Sequence, residues 1–347
     1  MVKGAPPEPS VGSIVSIQAA SLEAAGRTTD AIALLTAANR VRPDPSIEQH
    51  LVEMRHDAFA TLDRTPPAMV PPAITAVTDR PGPLPELTVG ELTAATLRAG
   101  LARHGCVLVR SLIPTARAER MADGVDRALA AFDAGAGGAP TSETTPWYAP
   151  FTPRSGDYRV GGRRNWVRAS GAVWTADSPR MLYELLELIE ETGIGALISE
   201  HLGERPVLSA NKCTLRRVPV TSNTDWHQDG AFLGVDTRTI NLWLALSHCG
   251  RDAPGLDIVP RRIDHVAETG TEGAFFDWSV SPDVVERLAE GAPVLRPEFS
   301  PGDALLFDHL FMHRTAVGPE MTRERHAIET WFFTPSSYPD GQIPLVY

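Results

Sequence analysis

The spacing of apolar residues shifts from helical to alternating along this chain, and the shift falls near Pro206. From Ile14 to Leu62 apolar positions recur every three or four residues, the mark of helices that bury one face. Gly26 interrupts this run once, and Pro43 with Pro45 interrupts it again, so two or three amphipathic helices are expected. Before them, Met1–Gly12 is rich in Pro, Gly and Ser and is expected to be disordered. After them, Thr65–Pro85 is dense in proline and reads as a linker. Helical spacing returns over Thr88–His104 and Pro114–Phe132, with a short buried strand, Cys106–Arg110, between them. Asp133–Asn165 is an irregular stretch of Gly, Pro, Ser and Thr carrying Trp147, Tyr148, Phe151 and Tyr158, a composition suited to a lid or binding loop. Ser178–His201 is an amphipathic helix. Beyond Pro206, short strands are expected at Val207–Leu215, Thr239–Ser247, Ala304–Phe307, Phe311–Ala316 and Ala327–Phe333, separated by turn residues.

This order predicts an α+β protein: a double-stranded β-helix, the jelly-roll or cupin-like barrel, flanked by helices and preceded by a helical hairpin. The expected divisions are a tail over 1–12, a helical segment over 13–64, a linker over 65–85 and one large domain over 86–347. The helical segment resembles a single tetratricopeptide repeat with a following helix, through Ala19, Leu22, Gly26, Ala31, Leu35, Ala38 and Pro43. Such repeats normally stack to bury a continuous core. One alone must lean on another surface, either its own barrel or that of a second copy in a homodimer.

Composition narrows the class. At 43% hydrophobic and 22% charged, the 347 residues suffice for a sizeable core. A formal net charge of −11 argues against a nucleic-acid binder, which draws its affinity from clustered cations. Cys106, Cys213 and Cys249 are too few and too scattered for a disulfide framework or a zinc site, and they suit a reduced cytoplasm. Met1–Ser21 lacks the apolar core of a secretory signal, and no stretch approaches the ~20 apolar residues of a membrane span. A soluble, cytoplasmic protein is expected, without membrane or nucleic-acid partners.

The sharpest chemistry lies in Asp225-Trp-His-Gln-Asp-Gly230. Residues two apart on a strand share a face, so His227 and Asp229 can reach one ion while Trp226 and Gln228 turn away. A second, distant His would complete the two-His-one-carboxylate set of non-haem Fe(II) oxygenases, which leaves three positions for a bidentate co-substrate and O₂. His309 and His313 both qualify and have the same parity. His313 lies within an apolar run, with Thr315 on its face, whereas His309 follows a turn. A buried co-substrate carboxylate would also need a bidentate cation, for which Arg323 and Arg325 are both available.

Taken together these pieces resemble the phytanoyl-CoA dioxygenase family of Fe(II)/2-oxoglutarate-dependent oxygenases, over roughly Leu87–Phe333. The resemblance rests on four motifs in order: Trp226-His227-Gln228-Asp229, Trp243-Leu-Ala-Leu246, Gly302-Asp303 leading to His313-Arg-Thr315, and Arg325-His-Ala-Ile328. It selects His313 and Arg325, and implies that Thr315 assists Arg325 in holding 2-oxoglutarate, with Lys212 and Thr214 at further co-substrate positions. The loop Pro254–His265 departs from the family pattern.

The resemblance implies an oxidoreductase with Fe(II), 2-oxoglutarate and O₂, which hydroxylates an unactivated C–H of a small molecule while releasing succinate and CO₂. Asp229 stands where related halogenases have a small residue, which favours hydroxylation and leaves desaturation or ring formation open. Arg164 and Trp166, in a cluster with Arg163, Arg168 and Trp174, are candidates for a cationic, aromatic pocket wall. Trp226 and Trp243, from the motifs, are further pocket candidates. The rival readings are a zinc hydrolase with the same triad, a non-catalytic cupin-like binding protein, and an adaptor built on the N-terminal helices.

Overall fold

The computed structural model describes residues 11–68, 84–135, 141–154, 158, 161–222 and 224–347. The expected tail and linker therefore fall largely outside the described residues, as does part of the irregular stretch after Asp133. Where the tail was expected to run to Gly12, a helix already begins at Val11.

The strands are β1 (Glu86–Thr88), β2 (Cys106–Arg110), β3 (Ala172–Trp174), β4 (Val207–Ser209), β5 (Thr214–Val218), β6 (Thr239–Ala245), β7 (Gly255–Ile258), β8 (Ala304–Phe307), β9 (His313–Ala316), β10 (Arg325–Phe333) and β11 (Pro344–Val346). A large sheet runs β1-β2-β8-β6-β10-β4-β11, with β5 also on β10 and β3 on β5. The small sheet pairs β7 with β9 and is widened by bridges from His227 to His313 and from Ile258 to Leu295. The two sheets face each other as a double-stranded β-helix.

Residues of β10 alternate between two environments. Ala327, Trp331 and Phe333 face the inter-sheet core with Trp243, Leu256, Ile258, Leu305 and Phe307. Ile328 and Phe332 face outward into a second core with Leu242, Leu244 and Leu306. Helices cover that outer face: α4 (Ala94–His104), α5 (Thr115–Gly135), α7 (Pro179–Glu191) and α8 (Ile194–Leu202).

Two expected elements divide. The single helix over Ser178–His201 is α7 and α8, because Gly193 takes a left-handed conformation (φ +68°) that a helix interior excludes. The single strand Val207–Leu215 is β4 and β5, because the Lys212 and Cys213 N–H groups donate back to the Ser209 carbonyl and close a turn. Both pieces still pair with β10, at Phe332–Phe333 and at Arg325–Glu329.

Three N-terminal helices, Val11–Ala24, Thr28–Val41 and Pro45–Asp57, pack as a unit. Ala31, Leu35, Ile47, Leu51 and Met54 share a core with Val207 and Val346 of the barrel edge.

Candidate metal centre and its surroundings

His227 and His313 lie side by side because their backbones form an antiparallel bridge at the start of β9, each N–H donating to the other's carbonyl (3.0 and 3.1 Å). Asp229 follows two residues on. One ligand atom from each of His227, Asp229 and His313 falls within 4.8 Å of the others, close enough for all three to hold one metal ion. Each imidazole is oriented by a carbonyl: Nδ1 of His227 lies 2.8 Å from the Asp225 oxygen, and Nδ1 of His313 lies 3.1 Å from that of Phe311. Donation from Nδ1–H leaves the Nε2 lone pair for a metal. Burial pushes the His313 imidazole down to about 4, so it is neutral at pH 7. His309 is absent from the cluster; its Nε2 approaches the Val235 carbonyl, and its own carbonyl accepts the Gly230 N–H at 2.8 Å. A Cβ at Gly230 would sit 2.8 Å from Val266 and 3.1 Å from His309, which explains the glycine after Asp229.

Lys212 reaches this cluster. Its Nζ donates to Asp229 Oδ1 at 2.7 Å and rests over the rings of Phe232 and Trp331. Burial alone would raise the Asp229 carboxyl, yet the Lys212 ammonium and the two imidazoles bring it down to about 2. The other oxygen, Oδ2, faces His313 Nε2 at 3.8 Å.

Arg325 opens β10 and is 1% exposed. Its Nη1 donates to the Gly255 and Pro254 carbonyls (2.8 and 3.4 Å), its guanidinium lies over Trp243, and its Nε has no partner. Burial pushes it down to about 10, still a cation at neutrality. Among the described residues no carboxylate pairs with it. An unpaired buried cation with an unused donor is costly unless an anion is meant to meet it. Arg323, by contrast, is largely exposed and sits 3.4 Å from Asp252. Thr315 is buried on β9, on the same face as His313.

Thr214 is occupied: its hydroxyl donates to Glu329 Oε2 at 3.0 Å, and Arg216 Nη1 meets Glu329 Oε1 at 2.8 Å. Register sets Thr214 opposite Glu329 and Arg216 opposite Ala327, so this trio shares the interior face with Arg325. Burial would raise the Glu329 carboxyl, but Arg216, the Thr214 hydroxyl and Lys212 together hold the group below its usual value. Sequence reading missed Arg216 and Glu329, although their parity with Thr214 and Arg325 was available.

The pocket candidates need correction. Trp226 turns away from the metal cluster into a satellite core with Val259, Ile263 and Val280, and Arg314 covers its ring. Arg164 is committed to Asp177 (2.7 and 2.8 Å), to the Phe151 carbonyl and to the Trp174 ring. Trp166 is 68% exposed on the helix Gly161–Ala169. Trp243 is in the interior, but as the neighbour of Arg325. The rings that stand beside His227 are instead Phe232 and Trp278, with centroids at 6.3 and 5.7 Å.

A double-stranded β-helix with a His-Asp-His cluster, together with a match to a family of such enzymes, defines an Fe(II)- and 2-oxoglutarate-dependent dioxygenase, an oxidoreductase. Residues 165–317, the segment bearing all three cluster residues, match the model of the phytanoyl-CoA dioxygenase (PhyH) family. No curated protein matches the chain. Among solved structures, EctD from S. alaskensis with 2-oxoglutarate and 5-hydroxyectoine is similar at 15% identity and a TM-score of 0.50, over 78% of this chain and 83% of that one. The non-heme alpha ketoglutarate dependent carbocyclase SnoK from nogalamycin biosynthesis is similar at 14% identity and a TM-score of 0.47, over 72% and 86%. AviO1 from Streptomyces viridochromogenes Tue57 gives 18% and 0.45, over 72% and 98%. At these identities the likeness to EctD is one of fold.

Proposed function

We propose that this protein hydroxylates an unactivated C–H bond of a small molecule, with Fe(II) held by His227, Asp229 and His313. The reaction balances as R–H, O₂ and 2-oxoglutarate giving R–OH, succinate and CO₂. The observation that carries this reading is Arg325: a fully buried guanidinium, charged at neutrality, with an unused Nε and no carboxylate partner, on the interior face of the metal-bearing barrel. It fits the distal carboxylate of 2-oxoglutarate, to which a bidentate Arg is matched. Thr315 adds a hydroxyl on the face of His313, while Lys212 and Thr214 are paired with Asp229 and Glu329. When bound, the metal supplies O₂ activation coupled to decarboxylation of the co-substrate. The residues orient the ligands, exclude water and leave three positions open for chemistry.

A zinc hydrolase on this triad would have no use for a buried, unpaired Arg325, and a binding protein would not need all three ligands. Three free, buried cysteines suit a reduced, cytoplasmic setting. No helix among the described residues is long and apolar enough to cross a membrane. The deciding experiment measures O₂ and 2-oxoglutarate consumption and succinate formation by the purified protein with Fe(II) and ascorbate. Succinate formed in the absence of added substrate, and lost with Asp229→Ala, is the expected result. Hydrolysis supported by Zn(II) without 2-oxoglutarate would overturn the reading.

A further inference from the structure

We infer that the substrate presents a flat, apolar ring face, which lies on an aromatic wall formed by Phe232, Phe276 and Trp278 beside His227. This deepens the proposed function and rests on it. Of the nine large apolar side chains exposed among the described residues, three belong to one connected cluster: Phe232 (44% exposed), Phe275 (79%) and Phe276 (41%). Trp278 links them to the metal centre. It stacks on Phe276 at 4.9 Å and 8°, meets Phe232 at 5.9 Å, and stands edge-on to His227 at 5.7 Å. A connected apolar patch of this kind marks a binding face, and here the ring of a candidate ligand to the metal borders it.

The wall is held in place. Asp225 Oδ2 accepts the Phe275 N–H at 2.9 Å and the Ser279 hydroxyl at 2.7 Å, and the Val280 N–H donates to the Trp226 carbonyl at 2.8 Å. Through its own carbonyl the same Asp225 orients Nδ1 of His227. One residue thus fixes both the metal-facing imidazole and the aromatic loop, so their separation is set before any ligand arrives.

Charged recognition is already consumed inside. Lys212 is paired with Asp229, and Arg216 with Glu329, which also accepts from Thr214. These charged groups are paired with one another, and the surface that stands beside His227 is a set of aromatic rings. Phe276 forms a near-parallel pair with Trp278 and an edge-on pair with Phe275 at 4.7 Å, and is 41% exposed, an arrangement of rings that a further ring can extend. A second copy of the chain docked here would stand against His227 and close the approach to the metal.

The test titrates 2-naphthol, with 1-octanol as an apolar chain of similar size, into the full-length protein, first metal-free and then loaded anaerobically with Fe(II) and 2-oxoglutarate. Binding is read by calorimetry. We expect 2-naphthol to bind about tenfold more tightly than 1-octanol, and Phe276→Leu with Trp278→Leu to remove that preference while Trp278→Phe keeps it. Co(II) binding is measured on every variant and should be unchanged, which separates loss of the wall from misfolding. Equal binding of the two probes, or a ring preference that survives the double substitution, overturns the inference. So does a wild-type dimer that the double variant converts to monomer. The function reading fails separately, by absence of succinate formation, whatever the naphthol titration shows.

Discussion

Asp229 offers its two oxygens to different partners, Oδ1 to Lys212 at 2.7 Å and Oδ2 toward His313 at 3.8 Å. A carboxylate held in this way presents one oxygen to an ion and cannot easily rotate to offer both. Lys212 then acts on the metal through Asp229, and partners of this kind typically contribute 10–100-fold in metal affinity, as an order of magnitude. Lys212→Met should weaken Co(II) binding by about that factor, and the apparent constant for 2-oxoglutarate should move less. The reverse pattern would return Lys212 to direct co-substrate contact. For the ligands themselves, His313→Ala should abolish metal binding in a calorimetric titration while His309→Ala retains it. Arg325→Ala removes one partner of a buried charge pair, a loss of about 3–5 kcal/mol. The apparent constant for 2-oxoglutarate should then rise by about two orders of magnitude or more, with Arg323→Ala near wild type.

At the scale of elements, legibility followed burial. Cys106–Arg110 and Ala304–Phe307 are covered on both faces and read as continuous apolar runs, and their boundaries match the structure. Strand parity was expected to bring His227 and Asp229 together. They do meet, but through a single bridge at His227 and helical backbone at Asp229, which heads the turn Gly230–Leu233. Trp226 does turn away, against its inclusion among the pocket residues. Charged residues on strands were passed over. Arg216 and Glu329 suggest a solvated face, yet their register with Thr214 and Arg325 sets them inside the barrel, where the interior is polar near the metal cluster. The break between β4 and β5 carried no Gly or Pro; two N–H groups sharing the Ser209 carbonyl make it, and a long-range fold decides such a turn. Arg164 was misread for a related reason, since sequence does not reveal Asp177 as its partner. Asp177 is 1% exposed, and burial raises its carboxyl despite the nearby guanidinium. Arg164→Ala would strand that carboxylate, at a cost of about 3–5 kcal/mol. A lower thermal midpoint is expected, partly restored by adding Asp177→Asn, with Co(II) affinity unchanged. A loss of metal or substrate binding at unchanged stability would instead restore Arg164 to the pocket.

Across the whole molecule, the question is what the N-terminal helices do for a barrel whose metal cluster they do not enter. Their apolar stripe is too large for one helical hairpin to bury, and it is spent on the edge of the large sheet, where Ile47, Leu51 and Met54 meet Val207 and Val346. Polar contacts fix the seat. Glu48, itself buried, accepts from Asn39 and from Arg180 of α7, and Arg40 reaches Glu187 on the same helix. Arg55, also buried, donates to the Val346 carbonyl, and His56 Nδ1 lies 3.0 Å from that of Pro344. These last two contacts hold β11, the edge strand that closes the large sheet beyond β4. Removing the helices would therefore expose an apolar edge and release β11, while leaving His227, Asp229, His313 and Arg325 with their own partners. A chain starting at Pro85 is expected to bind Co(II) as the full protein does, but to melt at a lower temperature or to self-associate through the uncovered edge. Calorimetry and sedimentation on both chains decide it. An unchanged midpoint and an unchanged mass in solution would mean that the helices are an independent module, and an adaptor role would then account better for their presence.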